Sequence, residues 1–163
     1  MSSSKFPIHR FKKPDELEVL LLINQLFGKS YTDSKPQLFE QSVLLVTRID
    51  NKIVGFCAGN ELENKKGLLD LLVVHPDFQR QGIGTSLFKA RMSAFSTLQI
   101  TRFILYHWVK KQRPKPYIAI AHGFKLKEIL PNYWQRESSK IGYHCEECGP
   151  PPCKCTCHLY DKT

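Results

Sequence analysis

The sequence predicts a single domain of the α/β class, of the α+β kind in which antiparallel strands are combined with helices. Three observations lead to this prediction. The chain has 163 residues, 42% of them apolar, enough for one domain with a substantial core. Apolar runs of strand length recur between stretches with helical spacing. One of these runs passes through a turn that contains two glycines into a helical pattern.

The first part of the chain is predicted to form a strand and a helix. Residues 6–12 have the pattern of a strand. Pro14, Asp15 and Glu16 then favour a helix start, because proline fits the first turn and carboxylates are stabilised by the positive end of the helix dipole. The helix is expected to continue over 17–27 and to end at Gly28. The polar residues 29–35 are predicted as a loop before a short helical segment at 37–41.

Three antiparallel strands are predicted next. The runs 42–49 and 52–62 flank Asp50-Asn51, a dipeptide that favours a tight hairpin. Residues 64–67 turn the chain into the apolar run 68–74, which is too short to cross a membrane. Its continuous apolar pattern is typical of a strand buried on both faces, and Pro76 ends it.

The segment after Pro76 is predicted to hold phosphates. It leads into a helical pattern at 86–95, so Gly82 and Gly84 lie at a helix N-terminus. Glycine lets the backbone approach a ligand, and the free amides and the dipole of a first helical turn favour an anion. Arg80 adds a positive charge. For the glycines taken singly, a purely structural turn is the alternative.

The remaining elements complete an alternating order. Residues 100–109 are predicted as a strand, 117–122 as a short helix that is closed by Gly123, and 124–130 as another strand.

The turn and the element order resemble the GNAT superfamily of acyl-CoA N-acyltransferases. Its acyl-CoA loop has the pattern Gln/Arg-x-x-Gly-x-Gly/Ala after a strand that ends in Val-x-Pro. This chain has Val74-His75-Pro76 and Gln79-Arg80-Gln81-Gly82-Ile83-Gly84. Residues 157–162 are similar to the final strand of ribosomal-protein-alanine acetyltransferases. The resemblance implies a mixed, mostly antiparallel sheet of about seven strands flanked by helices, with a cysteine-rich insertion before the last strand.

The resemblance also implies acetyl-CoA as the cosubstrate. In the family, the loop wraps the pyrophosphate, and the preceding strand offers backbone groups to the pantetheine arm and the thioester carbonyl. The amide of Val73 or Val74 would then hold the oxyanion. Carried onto this sequence, the cofactor-binding residues are Leu72, Val73, Val74, Gln79, Arg80, Gln81, Gly82, Ile83, Gly84 and Thr85.

Amide formation from a thioester requires a neutral amine, so the site should supply a base. Asp70 is the only carboxylate inside the apolar strand. Two-residue alternation is expected to place it on the same face as Leu72 and Val74, beside the thioester. Asp70 is therefore the candidate base. The alternative is a hydrogen-bonded aspartate without a catalytic role.

The proton donor for the departing thiolate is harder to place. Family members often carry Asn after the fifth strand and Tyr four residues before a Gly-Phe pair, whereas this chain has Gln112 and Ala119 at those positions. Tyr106 and Tyr117 are the candidate substitutes. Protonation by solvent, with both tyrosines as packing residues, is the alternative.

A cysteine-rich segment stands out near the end of the chain. Five of the six cysteines lie between residues 145 and 157. The Cys-x-x-Cys spacing lets two thiolates face one metal, and two further cysteines could complete the tetrahedron of a structural zinc site. The alternatives are disulfides and free thiols. Cys157, His158 and His144 are spare ligands, and the predicted ligands are Cys145, Cys148, Cys153 and Cys155.

Charge and hydropathy restrict the partners. The net charge is +9, with basic residues clustered at 110–115. A solvated basic face is favoured over nucleic-acid binding, because no aromatics interleave with the cluster. No run is long enough for a membrane span, and Met1 to Lys5 do not resemble a signal peptide. A cytoplasmic protein is expected.

The predicted function is acetyl-CoA-dependent N-acetylation of an amine, on a protein, a peptide or a small molecule, by direct transfer. The alternative is a catalytically silent coenzyme-A-binding domain that uses a zinc-stabilised tail to engage another protein. One domain over 1–163 is expected, with the possible zinc-binding insertion at 143–158. A homodimer is left open.

Overall fold

The computed structural model describes residues 5–163 and contains one seven-stranded sheet with the order β1-β2-β3-β4-β5-β7-β6. The strands are β1 (Ile8–Arg10), β2 (Val43–Ile49), β3 (Lys52–Leu62), β4 (Lys66–Val74), β5 (Arg102–Trp108), β6 (Lys125–Leu130) and β7 (Cys157–Lys162). The helices are α1 (Glu16–Phe27), α2 (Lys29–Asp33), α3 (Ile83–Thr97), α4 (Tyr117–Ala121) and α5 (Tyr133–Ile141). The predicted fold class and the cysteine-rich segment before the last strand are confirmed.

Two helices were missed by the sequence prediction. Helix α2 occupies most of the predicted loop 29–35, and its five residues are too few to produce a helical period. Helix α5 has only three apolar residues, Tyr133, Trp134 and Ile141, among its nine positions, so its sequence is too polar and too short to show an apolar repeat. The predicted hairpin is present, because Asp50 and Asn51 adopt φ angles of 49° and 63°, as a tight primed turn requires.

The sheet buries an apolar core on each face. On one face, α3 contributes Leu87, Phe88 and Phe95, which pack with Leu69 and Val74 of β4. On the other face, α1 packs with the opposite side of the same strand, and the cluster includes Val19, Leu22, Ile23, Leu71 and Val73. Strand β4 is therefore covered on both sides, as its continuous apolar pattern predicted.

Strands β4 and β5 separate along their length. They are parallel and pair only from Lys66 to Leu68 on β4 and from Arg102 to Ile104 on β5. From Leu105 onward, β5 pairs with β7 alone. The two strands thus leave a gap that opens toward their carboxyl ends, next to the start of α3.

A β-bulge interrupts β4 at Asp70. On β3, Ala58 is opposite Leu71 and Gly59 is opposite Leu69, so Asp70 has no partner residue in the β3 register. The extra residue reverses the alternation of side chains. Accordingly, Leu69 belongs to the core under α3, whereas Leu71 belongs to the core under α1.

Within residues 5–163, none of the helices is long and apolar enough to span a membrane. Residues 1–4, which formed most of the segment compared with a signal peptide, lie outside the described residues.

Candidate active site

The predicted phosphate loop lies at the N-terminus of α3. Gly82 is the N-cap, with a φ of 93° that a residue with a Cβ rarely adopts. The first intrahelical bond runs from the amide of Ser86 to the carbonyl of Gly82 over 3.0 Å. The amides of Ile83, Gly84 and Thr85 therefore precede the hydrogen-bond ladder of the helix and are available to an anion.

Close packing joins this loop to the end of β4. The side-chain amide of Gln79 donates to the carbonyl oxygen of Val74 over 2.9 Å. A Cβ on Gly84 would lie 3.2 Å from Ile118 Cδ1, 3.6 Å from Leu72 Cδ2 and 3.8 Å from Val74 Cγ2. The absence of a side chain at Gly84 thus lets the start of α3 lie directly against β4 and α4.

The register of β3 and β4 decides which amides face the gap. The amide of His75 donates to the carbonyl of Val54 over 2.8 Å. Along an antiparallel strand, successive backbone amides point alternately toward one neighbouring strand and away from it. The amide of Val73, opposite Phe56, therefore points to β3, and the amides of Leu72 and Val74 point to the gap. The amide of Val73 or Val74 was predicted to hold the oxyanion. Of these two amides, only that of Val74 points into the gap, and the amide of Leu72 points into the gap as well.

Asp70 lies on the opposite side of the sheet from the predicted one. Its Oδ1 atom accepts from Lys35 Nζ over 2.5 Å, and its Oδ2 atom accepts from Gln41 Nε2 over 2.7 Å. Leu72 and Val74, by contrast, lie beside Gly84 of α3. The expectation that Asp70 shares their face is wrong, because the bulge at this residue reverses the alternation.

A cleft of about 450 Å³ surrounds this carboxylate. It is formed by residues 34–38, Glu40 and Gln41 together with Asn60, Leu68 and Asp70. The cleft is polar at its base, where Lys35, Gln41 and Asp70 meet.

Lys35 is a cation in this setting. Burial alone would lower the pKa of Lys35, but the neighbouring Tyr31 and Asp70 outweigh it and raise the pKa above the ordinary lysine value. Burial raises the pKa of Tyr31, and Lys35 offsets only part of this effect. Near neutral pH, Tyr31 is therefore a neutral phenol whose ring lies 5.3 Å from Lys35 Nζ.

The two candidate tyrosines lie in different surroundings. Tyr106 of β5 stacks on Tyr133 of α5, with ring centroids 5.0 Å apart. Burial, and then the charges of groups that include Tyr106 and Asp70, raise the pKa of Tyr133. Tyr117 begins α4 and is 64% exposed. Ala119 of the same helix is buried, and its methyl side chain cannot donate a proton.

A buried arginine supports the bulge. Arg91 of α3 is 3% exposed, and its Nη1 atom donates to the carbonyl oxygens of Ala58 and Leu71, each over 2.9 Å. Ala58 and Leu71 form the residue pair that directly follows Asp70 in the register of β3 and β4. Burial lowers the pKa of Arg91. Sequence reasoning missed this residue, although it interrupts the apolar face of α3, four residues after Leu87 and four before Phe95.

The cysteine-rich segment gathers four sulfur atoms. The Sγ atoms of Cys145, Cys148, Cys153 and Cys155 all lie within 4.8 Å of one another. These are the four predicted ligands. The spare candidates are outside this group: Cys157 and His158 belong to β7, opposite Trp108 and His107 of β5.

The sequence prediction also missed the partners of Asp70. Lys35 and Gln41 lie in a polar stretch without a motif, 35 and 29 residues before Asp70. Tyr133 belongs to the unpredicted helix α5. No local pattern could reveal these contacts, because they depend on how α2 and α5 are placed against the sheet.

Comparison with known proteins connects this geometry to one family. Residues 17–117 match the family described as Acetyltransferase (GNAT) family. The matched region includes α1, the cleft, β4, the loop before α3 and β5. A search of curated proteins found no match.

Solved structures share the fold. The ribosomal-protein-S18-alanine N-acetyltransferase from Escherichia coli superposes with a TM-score of 0.70 at 16% identity, over 96% of this chain and 92% of that one. A GNAT family acetyltransferase from Elizabethkingia anophelis with acetyl-CoA bound gives 0.71 at 19% identity, over 98% of both chains. Arabidopsis thaliana Naa50 in complex with the bisubstrate analogue CoA-Ac-MVNAL gives 0.66 at 16% identity, over 98% and 99%.

Proposed function

This chain belongs to the GNAT family of acetyltransferases, and on that premise we propose that it transfers an acetyl group from acetyl-CoA to an amine. One observation carries the proposal. The gap between β4 and β5 opens beside the free amides at the start of α3, and the cleft around Asp70 lies across the sheet from that helix. A thioester in the gap would thus be reached by an amine from the other side of the strand.

The proposed path of the cosubstrate follows from where an anion can bind. The pyrophosphate would sit on the amides of Ile83, Gly84 and Thr85, with Arg80 nearby. Since the start of α3 adjoins Val74, the pantetheine arm would run from Val74 back along β4. The thioester would then lie near Leu72, whose amide is proposed to stabilise the oxyanion.

In the proposed transfer, the amine nitrogen attacks the thioester carbonyl carbon, and the tetrahedral intermediate collapses with loss of the thiolate of coenzyme A. One proton leaves the amine and one reaches the thiolate sulfur. We assign the first proton to Asp70, acting from the cleft directly or through water, and the second to Tyr106.

The acceptor is proposed to be a primary amine that is charged before it reacts. Asp70 already binds one primary ammonium, that of Lys35, at 2.5 Å. An incoming ammonium can replace Lys35 at the same carboxylate and lose one proton to solvent, which leaves the neutral amine that attacks the thioester and then gives its second proton to Asp70. Structural neighbours include enzymes named for a ribosomal protein and for aminoglycosides, so protein and small-molecule amines both belong in the test.

The test is transfer by the purified protein. Acetyl-CoA is supplied with peptides that carry a free N-terminus, peptides that carry only a lysine amine, and small polyamines. Thiol release and the mass of each acceptor are followed. We expect an acetylated product in at least one class and little product with Asp70→Asn. Acetyl-CoA binding without product from any class would contradict the proposal.

That last outcome would favour the second candidate, a coenzyme-A-binding domain without turnover. Two observations favour this alternative. Both carboxylate oxygens of Asp70 already accept hydrogen bonds, and the buried Ala119 cannot donate a proton. A silent binder would retain the acetyl-CoA-dependent increase in thermal stability and would be unaffected by Asp70→Asn in that measurement.

No step of the proposed transfer involves the clustered cysteines.

A further inference from the structure

We propose that Cys145, Cys148, Cys153 and Cys155 bind one zinc ion. This ion keeps Tyr143 in place and, through Tyr143, the position of helix α2 beside the cleft. The four sulfur atoms lie between α5 and β7, outside the gap and the cleft described above. The site is therefore structural. The importance of this ion for acetyl transfer rests on the proposed function. Metal binding by the four cysteines does not depend on whether the protein transfers an acetyl group.

The spacing of the sulfur atoms fits a tetrahedron around zinc. Cys148 and Cys155 are 3.6 Å apart, Cys145 and Cys155 are 3.7 Å apart, and Cys148 and Cys153 are 3.9 Å apart. With zinc–sulfur bonds of about 2.3 Å, the edge of a regular tetrahedron is about 3.8 Å. A disulfide would require about 2.05 Å. These three distances match shared coordination and are much longer than the bond of a disulfide.

The backbone around the first two cysteines has the form of a metal-binding knuckle. Cys145 and Gly149 exchange two backbone hydrogen bonds, of 2.9 and 2.8 Å. Gly149 adopts a φ of 78°, which closes this tight loop. The turn brings the side chains of Cys145 and Cys148 to one side. The residues between them, Glu146 and Glu147, are directed elsewhere.

Backbone amides are placed to support thiolate charge. The amide of Lys154 donates to Cys148 Sγ over 3.3 Å, and the amide of Cys155 donates to Cys153 Sγ over 3.4 Å. Binding of Zn²⁺ would release four thiol protons to solvent and leave a centre with a net charge of about −2. Amide donors stabilise such a charge in a partly buried site.

The segment that carries the cysteines has no regular secondary structure of its own. Between the end of α5 and the start of β7, residues 142–156 contain no helix or strand. Yet Cys145 and Cys153 are buried, at 2% and 0% exposure. A metal ion supplies the free energy that holds such a segment together when apolar side chains are few.

Two acidic residues fasten the knuckle to the loop after β5. Glu146 pairs with Lys110 over 3.2 Å and with Arg113 over 3.6 Å. Glu147 accepts from the backbone amide of Lys111 over 2.8 Å. The basic cluster that the sequence placed at 110–115 is thus partly neutralised by the knuckle, and Lys110 is buried.

A chain of aromatic contacts leads from the cysteines to the cleft. Tyr143 is 1% exposed and packs with Cys145 and Cys153. Its ring lies 5.0 Å from that of Trp108 and 5.6 Å from that of Tyr31. Tyr31 in turn lies beside Lys35, which pairs with Asp70. Loss of the metal would free Tyr143 and thereby loosen the position of α2.

The test measures metal in the full chain, purified under reducing conditions without added metal. Mass spectrometry of the elements should give one zinc per chain in the wild type and less than a fifth of that in Cys148→Ser. Cys157→Ser is the matched control, because this buried cysteine is near the cluster but outside it, and should retain one zinc.

Cobalt binding tests the metal site in the wild-type protein, so the result does not depend on whether a variant folds. After zinc is removed from the wild type, added Co²⁺ should give the intense absorption of tetrahedral thiolate coordination, and one equivalent of Zn²⁺ should abolish it. Hydrogen exchange should show faster exchange at Tyr143 and in α2 of the metal-free protein.

Three results would overturn the inference: a metal-free wild type that binds neither Zn²⁺ nor Co²⁺, bound iron in place of zinc, or equal zinc content in Cys148→Ser and the wild type. None of these measurements requires acetyl transfer. A protein that holds zinc but acetylates nothing would disprove the proposed function alone.

Discussion

The ammonium group of Lys35 lies 2.5 Å from the carboxylate of Asp70. Lys35 precedes β2 in the sequence, whereas Asp70 lies in β4, which follows β3. Lys35 is 28% exposed and Asp70 is 17% exposed, so the pair is only partly shielded from solvent. Such a pair can open and close at modest cost, which suits a carboxylate that must exchange one amine for another.

The first prediction is that Lys35→Met improves binding of a cationic acceptor. The substitution removes the ammonium that competes for Asp70. A partly exposed pair of this kind is worth about 1 kcal/mol, so KM for the acceptor should fall roughly fivefold. Steady-state kinetics with the acceptor found in the transfer assay provides the measurement. Lys127→Met removes a comparable surface pair with Asp161 and should leave KM unchanged. A higher KM in Lys35→Met would mean that Lys35 helps to bind the acceptor.

The second prediction concerns acetyl-CoA binding at the start of α3. At a ligand concentration of about 100 Kd, acetyl-CoA should stabilise the wild type by about 2.7 kcal/mol and raise Tm by roughly 5–10 °C. Gly82→Glu should abolish this shift, because a carboxylate would oppose the phosphates.

Gly142→Glu is its matched control. Gly142 also has a positive φ, of 68°, and open space around its missing side chain, but it caps α5. Both variants should lose similar stability without ligand, about 1–2 kcal/mol. If Gly82→Glu kept the full shift, the phosphate loop would be misassigned.

The third prediction is that Arg91→Met destabilises the fold. The substitution leaves the carbonyls of Ala58 and Leu71 without their donor in a buried site. Each unsatisfied group costs about 1–3 kcal/mol, and removal of a buried charge offsets part of this cost, so a net loss of about 2–3 kcal/mol is expected. Urea unfolding measures it. Arg136→Met, at an exposed arginine of α5, should change stability by less than about 0.5 kcal/mol. If Arg91→Met were as stable as the wild type, the bulge would not need the guanidinium.

The fourth prediction follows from the pKa of His107, which is lowered chiefly because burial disfavours the charged ring. Its Nε2 atom lies 2.9 Å from the carbonyl oxygen of Arg113 and so must carry a proton, which leaves Nδ1 to titrate. The unfolded chain, with a histidine pKa of about 6.5, binds more protons than the folded one below that pH. This part of the stability is thus present above about pH 6.5 and lost as the pH falls toward the folded pKa.

His107→Gln should reduce that pH dependence. The amide of Gln can still donate to Arg113 but does not titrate in this range. Urea unfolding at pH 5.5 and 7.5 should show a smaller loss of stability in the variant than in the wild type. His9→Gln, at an exposed histidine of β1, serves as the comparison. The same loss in His107→Gln and the wild type would contradict the assignment.

The fifth prediction separates the two candidate proton donors. Tyr106→Phe should lower kcat roughly 100-fold, since a positioned general acid contributes at least that much. Tyr117→Phe should leave kcat within about twofold, because its side chain is 64% exposed at the start of α4. The reverse pattern would transfer the role to Tyr117. Unchanged kcat in both variants would assign protonation of the thiolate to solvent.

The sequence by itself determined the features that depend on neighbouring residues. The turn between β4 and α3, the hairpin at Asp50-Asn51 and the final strand at Cys157–Lys162 were all predicted, because glycine, turn residues and apolar runs act over a few positions. The loop predicted to hold phosphates is of this local kind. So is the Cys-x-x-Cys pair, whose spacing alone brings two thiols to one side.

Only the tertiary structure decided which groups meet. The bulge at Asp70 moved this carboxylate to the face opposite Leu72, and strict alternation could not predict the change because a bulge arises from the pairing with β3. The same pairing turned the amide of Val73 away from the gap. Lys35, Gln41 and Arg91 reach the bulge from elements far apart in the sequence. Contacts of this kind depend on the packing of helices against a sheet, and packing is a property of the whole chain.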